Sequence, residues 1–172
     1  MHSKPVRPPV DNGDGTHTVI LTRGKASLVD SADAAWVGQW NWCAYRAPRG
    51  TWYAVRTDYA AGARKTVRLH RALLSAPGDL EVDHRNGDSL DNRRGNLRLA
   101  TNAQNACNKR RGKRSSSGYK GVSWSARHRK WAASIGAHGR RRFLGLFGCA
   151  EEAHQAYCAA AVELHGEFAN PG

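Results

Sequence analysis

From Asn92 to Ala150 the sequence contains not one aspartate or glutamate. The same stretch holds 15 of the chain's 27 lysines and arginines, so the deficit is one-sided. Solubilising surfaces normally mix both signs. A long run of one sign repels itself unless a polyanion meets it, and phosphate backbone is the usual polyanion. Other absences narrow the reading further. No apolar run approaches the ~20 residues of a membrane span, so no membrane partner is expected. Met1 to Pro9 carries Lys4 and Arg7 but no apolar segment, which argues against a secretory signal and for a cytoplasmic protein. The four cysteines, Cys43, Cys107, Cys149 and Cys158, form no C-x-x-C pair. That excludes a zinc knuckle or ribbon, and a cytoplasmic setting makes disulfides unexpected. The cysteines read as small, partly buried side chains.

The 172 residues suffice for one ordinary domain or two to three very small ones. Residues 1–16, rich in Pro, Gly and Asp, read as a flexible tail. Residues 17–78 read as a β-rich subdomain. Strands are expected at Thr18–Thr22 and Lys25–Val29, then a short helix through Ala34–Val37 capped by Asp30. A hairpin of Trp40–Arg46 and Thr51–Thr57 follows, then a strand at Lys65–Leu69 and a helical start at Arg71–Leu74. Trp36, Trp40, Trp42 and Trp52 are expected to form this subdomain's core, with base stacking the alternative. Residues 79–112 read as strand (Leu80–His84), loop (Arg85–Gly95), strand (Leu97–Leu99) and helix. The helix opens at Thr101, where Gln104 three residues on completes a capping box. A polar linker, 113–117, leads to 118–168. There, strands at Tyr119–Trp124, Lys130–Ile135 and Arg142–Phe147 precede a helix at Ala150–His165, whose Ala153, Tyr157, Ala160 and Leu164 recur at helical spacing.

The middle unit reads Val82-Asp83-His84-Arg85-Asn86-Gly87-Asp88, then Leu90-Asp91-Asn92, Asn96-Leu97-Arg98, Thr101, Gln104-Asn105 and Asn108. Phosphodiester hydrolysis needs an activated water, charge neutralisation at the phosphate and help for the departing oxygen. An imidazole can take a proton near neutral pH. Carboxylate and amide oxygens suit a hard divalent cation. The pattern, from His70 to Arg114, closely resembles the His-Asn-His (HNH) motif of phage and intron-encoded homing endonucleases. The resemblance implies a ββα-metal unit binding one divalent ion, Mg²⁺ or Mn²⁺. It makes His84 the general base, with Asp83 and Asn105 as metal ligands. Asn96 is then the central Asn, orienting His84 or bracing the loop. Asp91 and Asn92 read as loop-shaping residues. His70 is open between packing and active-site support. Adjacent strand residues point to opposite faces, so Asp83 and His84 can serve one site only if the strand ends or twists there. Arg93, Arg94, Arg98, Lys109 and Arg110 flank the motif as candidate DNA contacts.

The last unit carries Tyr119-Lys120-Gly121-Val122, Lys130-Trp131-Ala132-Ala133-Ser134-Ile135, Phe143-Leu144-Gly145-Leu146-Phe147 and Ala150-Glu151-Glu152-Ala153. It resembles the Apetala/ethylene-response-factor DNA-binding domain, in which a three-stranded sheet enters the major groove. It departs from that pattern at Ser123, where the family usually has Arg, and by one extra residue before Lys130-Trp131. Trp124, Arg127, Arg129, Lys130, Trp131, Arg140 and Arg142 are its candidate DNA-facing residues.

Together these readings predict an α+β chain: a small N-terminal β-rich subdomain, a ββα-metal nuclease unit, and a C-terminal three-stranded antiparallel sheet packed on one helix. The function implied is a metal-dependent endonuclease acting on double-stranded DNA, nicking as a monomer and encoded by a phage or mobile element in a bacterial host. No obligate protein partner is implied. The alternative is a non-catalytic, sequence-specific DNA-binding regulator.

Overall fold

Short antiparallel sheets, joined by turns that the sequence marks with Gly, Asn and Asp, make up most of the chain. The computed structural model describes residues 5–48, 50–59, 63–108, 117–137 and 139–170. The fold is mixed α+β with several small antiparallel sheets and few helices. Two compact units form, Met1–Ala100 and Thr101–Gly172. Among the described residues no helix is long and apolar enough to cross a membrane.

In the first unit, β1 (Val10–Asp11), β2 (Thr16–Ile20) and β3 (Ala26–Asp30) pair in that order. Residues 5–16, read from the sequence as a tail, are tied down at several points. β1 pairs with β2, and Arg7 donates from Nη2 to the Trp42 carbonyl at 2.7 Å. The Asp11 and Asp14 side chains accept from the amides of Gly13 and Thr16, closing a turn. Helix α1 (Ser31–Val37) follows β3. Asp30 stands at its N-cap position but makes no side-chain cap bond; its Oδ2 accepts instead from the Arg94 amide at 2.7 Å.

A second sheet orders β4 (Cys43–Arg46), β5 (Trp52–Asp58) and β6 (Lys65–Arg68), and α2 (Leu69–Leu73) starts directly from β6. β7 (Glu81–His84) and β8 (Leu97–Ala100) form a two-stranded ribbon. Val19, Val29, Val37, Trp42, Leu69, Val82 and Leu97 share one apolar core, so the ribbon and the N-terminal sheets are built on the same interior. Trp42 is fully enclosed, with its Nε1 donating to the Val37 carbonyl at 3.0 Å; Trp36, Trp40 and Trp52 pack around the same core.

The second unit begins with α3 (Asn102–Cys107), whose Thr101–Gln104 capping box is complete in both directions. β9 (Val122–Ser125), β10 (Lys130–Ala137) and β11 (Arg140–Phe147) pair as β11-β10-β9 against α4 (Ala150–His165). Ala153, Tyr157, Ala160 and Ala161 of α4 are buried, as are Val122, Ala133 and Ile135 of the sheet. Gly121, at φ 74°, is required there. A Cβ would collide with the Tyr157 ring and come within 2.8 Å of the Ser134 carbonyl oxygen. α3 is tied to the rest of this unit by Lys120 Nζ donating to the Cys107 carbonyl at 3.0 Å. Asn170 Nδ2 adds a bond to the Asn108 carbonyl at 2.7 Å.

Candidate functional site

The loop between β7 and β8 is built by its own Asn and Asp side chains. Asn86 Oδ1 accepts from the Asp88 amide and Asp88 Oδ1 from the Leu90 amide, two successive Asx turns. Gly87 supplies the left-handed step, φ 72°, that follows His84. Asn96 closes the loop across its base. Its Oδ1 accepts from the Asn86 amide at 3.0 Å, and its Nδ2 donates to the Asp91 carbonyl at 2.8 Å. Asp91 receives Asn86 Nδ2 at 2.8 Å and the Arg93 guanidinium through two bonds, which hold its carboxyl below the usual range. Backbone bonds from Leu28 to Leu90 (2.9 Å) and from Asn92 to Leu28 (2.8 Å) stitch the loop to β3.

His84 ends β7 and is buried. Its Nε2 meets Asn92 Oδ1 at 3.4 Å. Asn92 has no exposed surface, and its amide orientation is fixed. Nδ2 donates to Ser27 Oγ at 2.7 Å and faces the Leu90 carbonyl, which can only accept. Ser27 in turn gives its hydroxyl proton to the same carbonyl at 2.8 Å. Asn92 therefore presents an acceptor to His84, which places the imidazole proton on Nε2 and the lone pair on Nδ1. Burial pushes the His84 pKa below its ordinary value; the Asn92 hydrogen bond and the charges of Asp83, Asp88 and Asp91 act in the opposite direction. The result is a neutral imidazole at neutral pH, the form a general base needs.

His70, on α2, lies with its ring edge-on to His84 at 5.2 Å and 5.3 Å from the Tyr53 ring. Its pKa is pushed down to about 3, first by burial and then by the neighbouring His84, Arg68 and Arg71. Asp83 sits opposite Arg98 in the ribbon, and Arg98 donates from Nε (2.8 Å) and Nη2 (2.7 Å) to Asp83 Oδ2. Both side chains are buried.

The structure thus gathers His84, Asp83, Asn96, Asn92 and His70 in the first unit, while Asn105 lies on α3 in the second. Of the flanking arginines expected to face DNA, Arg93 is paired with Asp91, Arg94 with Asp33 at 2.8 Å, and Arg98 with Asp83. Lys109 and Arg110 lie outside the described residues. Asn96 takes the loop-bracing role, and Asn92, read only as shaping the loop, is the asparagine that touches His84. Among the described residues no group of three or more His, Cys, Asp or Glu side chains could hold a metal ion.

In the second unit the register places Trp124 opposite Trp131, rings 5.2 Å apart, and Val122 opposite Ala133. Both tryptophans therefore share the face that carries buried Val122 and Ala133, the face turned to α4. Arg142 pairs with Ile135 in the sheet and reaches Glu163 of α4 at 3.3 Å. Arg140, opposite Ala137, is exposed. The opposite face presents Ser123, Lys130, Arg141 and Phe143, the last 63% exposed. Arg127 and Arg129 project from the exposed β9–β10 turn.

The sequence profile for HNH endonuclease matches residues 75–107, which span the loop and both strands of the ribbon. An uncharacterized HNH endonuclease of Acanthamoeba polyphaga mimivirus is 32% identical over 160 residues, covering 88% of this chain and 78% of that protein. Protein 3.8 of Escherichia phage T7 is 33% identical over 110 residues, covering 61% of this chain and 90% of that one. No solved structure matches.

Proposed function

This chain belongs to the HNH endonuclease family and is a nuclease acting on DNA; on that premise we propose that it is a metal-dependent, site-directed enzyme of the homing type that nicks duplex DNA as a monomer, with His84 as its general base. The observation that carries the proposal is the Ser27–Asn92–His84 hydrogen-bond chain. It holds a buried, neutral imidazole, the protonation state a general base needs. Among the described residues His84 is the one imidazole held by such a chain, which is the basis for one cut strand per binding event.

HNH nucleases generally use a divalent metal. A carboxylate is the donor type such an ion takes: Asp83, held by Arg98, would offer hard oxygens suited to Mg²⁺ or Mn²⁺, with water and phosphate oxygens completing the coordination. When bound, such an ion would neutralise charge on the scissile phosphate and the departing oxygen. Arg98 fixes the Asp83 carboxylate in place, and Asn96 keeps the loop closed beneath His84. The second unit supplies the grip. We read its antiparallel sheet backed by one helix as a DNA-binding module. The outward Lys130 and Arg141, with Arg127 and Arg129 of the turn, are the cations best placed to meet phosphate.

Supercoiled plasmid incubated with the protein and Mg²⁺ or Mn²⁺ should become open circles, and chelation should stop the conversion. Binding to duplex without metal-dependent cleavage would instead support a non-catalytic regulator.

A further inference from the structure

The outer face of the β4–β5–β6 sheet has no part in the chemistry above, yet it borders the site. Register fixes what it carries. Tyr45 pairs with Tyr53, Cys43 with Val55, Val55 with Arg68 and Thr57 with Thr66. These side chains share the face opposite the one that buries Ala44 and Ala54. None of them is acidic. Tyr45 is 43% exposed, and the exposed Arg68 guanidinium lies over the Tyr53 ring at 5.6 Å. Tyr53 touches His70, which touches His84, so the face runs up to the base.

At the end of the same strands Arg46 pairs with Trp52, and both alternate onto the other face, the one that carries Ala44 and Ala54, where three cations converge on one indole. Arg23 lies 5.8 Å, Lys25 5.3 Å and Arg46 5.9 Å from the Trp52 ring centre. No two of these charges can be more than about 12 Å apart, against a screening length of about 8 Å at physiological salt and about 30 Å at 0.01 M, so their mutual repulsion is felt most at low salt. Among the described residues none of the three has an acidic partner. The ring quadrupole offsets part of the repulsion. A run of phosphates would offset the rest.

We propose that the Arg23–Lys25–Arg46 cluster around Trp52, whose carbonyl accepts from Ser89 of the β7–β8 loop, is a second DNA contact, gripping the duplex backbone on one side of the bond that His84 cleaves. Its register with the cut rests on the nuclease reading; the binding does not. The test uses the full chain carrying His84→Ala, so that duplex stays intact, with and without Arg23→Gln, Lys25→Gln and Arg46→Gln together. The slope of log Kobs against log salt should become shallower by about 2 to 3, at ~0.9 for each phosphate the protein ceases to neutralise, and binding near ~0.1 M salt should weaken roughly tenfold or more. An unchanged slope would overturn the proposal. A photo-crosslinking phenylalanine at exposed Thr51, beside Trp52, removes no charge and supplies a second readout. It should capture duplex at a fixed distance to one side of the cut, and capture of a second copy of the chain, or of no DNA, would overturn the assignment. If the slope becomes shallower but the unmutated protein never cleaves, the nuclease reading fails while the second DNA grip stands. Cleavage with an unaffected slope gives the reverse.

Discussion

Replacing Asn92 by alanine removes the acceptor that holds His84 and the donor that satisfies Ser27. Two costs follow from the geometry. In stability, a fully buried amide disappears together with its 2.7 Å bond to Ser27, and the buried His84 N–H is left without this acceptor. Each unmet buried group costs about 1–3 kcal/mol, so a destabilisation of about 2–4 kcal/mol is expected in the first unit. In catalysis, the bond to His84 is long at 3.4 Å but buried, and its net contribution lies near the middle of the usual range. About 1 kcal/mol biases orientation and tautomer by roughly fivefold to tenfold. The single-turnover rate of Asn92→Ala should therefore drop about fivefold to tenfold, with DNA affinity changed less than about twofold. Urea titration gives the stability and quenched cleavage gives the rate. Ser27→Ala should reproduce part of both effects, and the double variant should fall short of additivity. A folded Asn92→Ala protein that cleaves at the parental rate would refute the positioning argument.

Arg98→Ala strands the buried Asp83 charge and should cost about 3–5 kcal/mol in urea titration, whereas converting both residues to leucine should recover most of that stability. His70 gives the fold an acid sensitivity. Its folded pKa of about 3 lies below the unfolded value, so the unfolded state takes the proton first. Stability is full above about pH 6.5 and falls by an amount on the order of 4 kcal/mol as pH drops toward 3. His70→Gln should flatten that part of the pH–stability curve. Gly121→Ala forces a left-handed side chain against Tyr157 and should lower the stability of the second unit by about 2–4 kcal/mol, read from its melting transition.

What could be read from the sequence was local. α4 occupies Ala150–His165, as its apolar spacing, acidic first turn and closing Gly166 predict. The Thr101–Gln104 capping box needs only four consecutive residues, and it formed as expected. What could not be read depends on partners far along the chain. Asp30 looks like a helix cap until Arg94, 64 residues on, takes its carboxylate. Asn92 looks like a turn residue because nothing nearby shows that Ser27, 65 residues earlier, will hold its amide. Arg98 reads as one more basic flanking residue, and only the strand register sets it against Asp83. Trp124 and Trp131 read as DNA-facing; the register puts both on the α4 side of the sheet, where Trp131 packs against the core and Trp124 stays 49% exposed. The apparent tail contains enough Asx turns to pair with β2, an arrangement that composition does not reveal.

The central claim is that His84 removes the proton from the attacking water. The most direct measurement is the single-turnover cleavage rate of His84→Ala against the parent, at saturating protein and Mg²⁺, with duplex affinity measured in parallel. The account predicts a rate lower by at least about 10²-fold at unchanged affinity. Equal rates from the two proteins would contradict it.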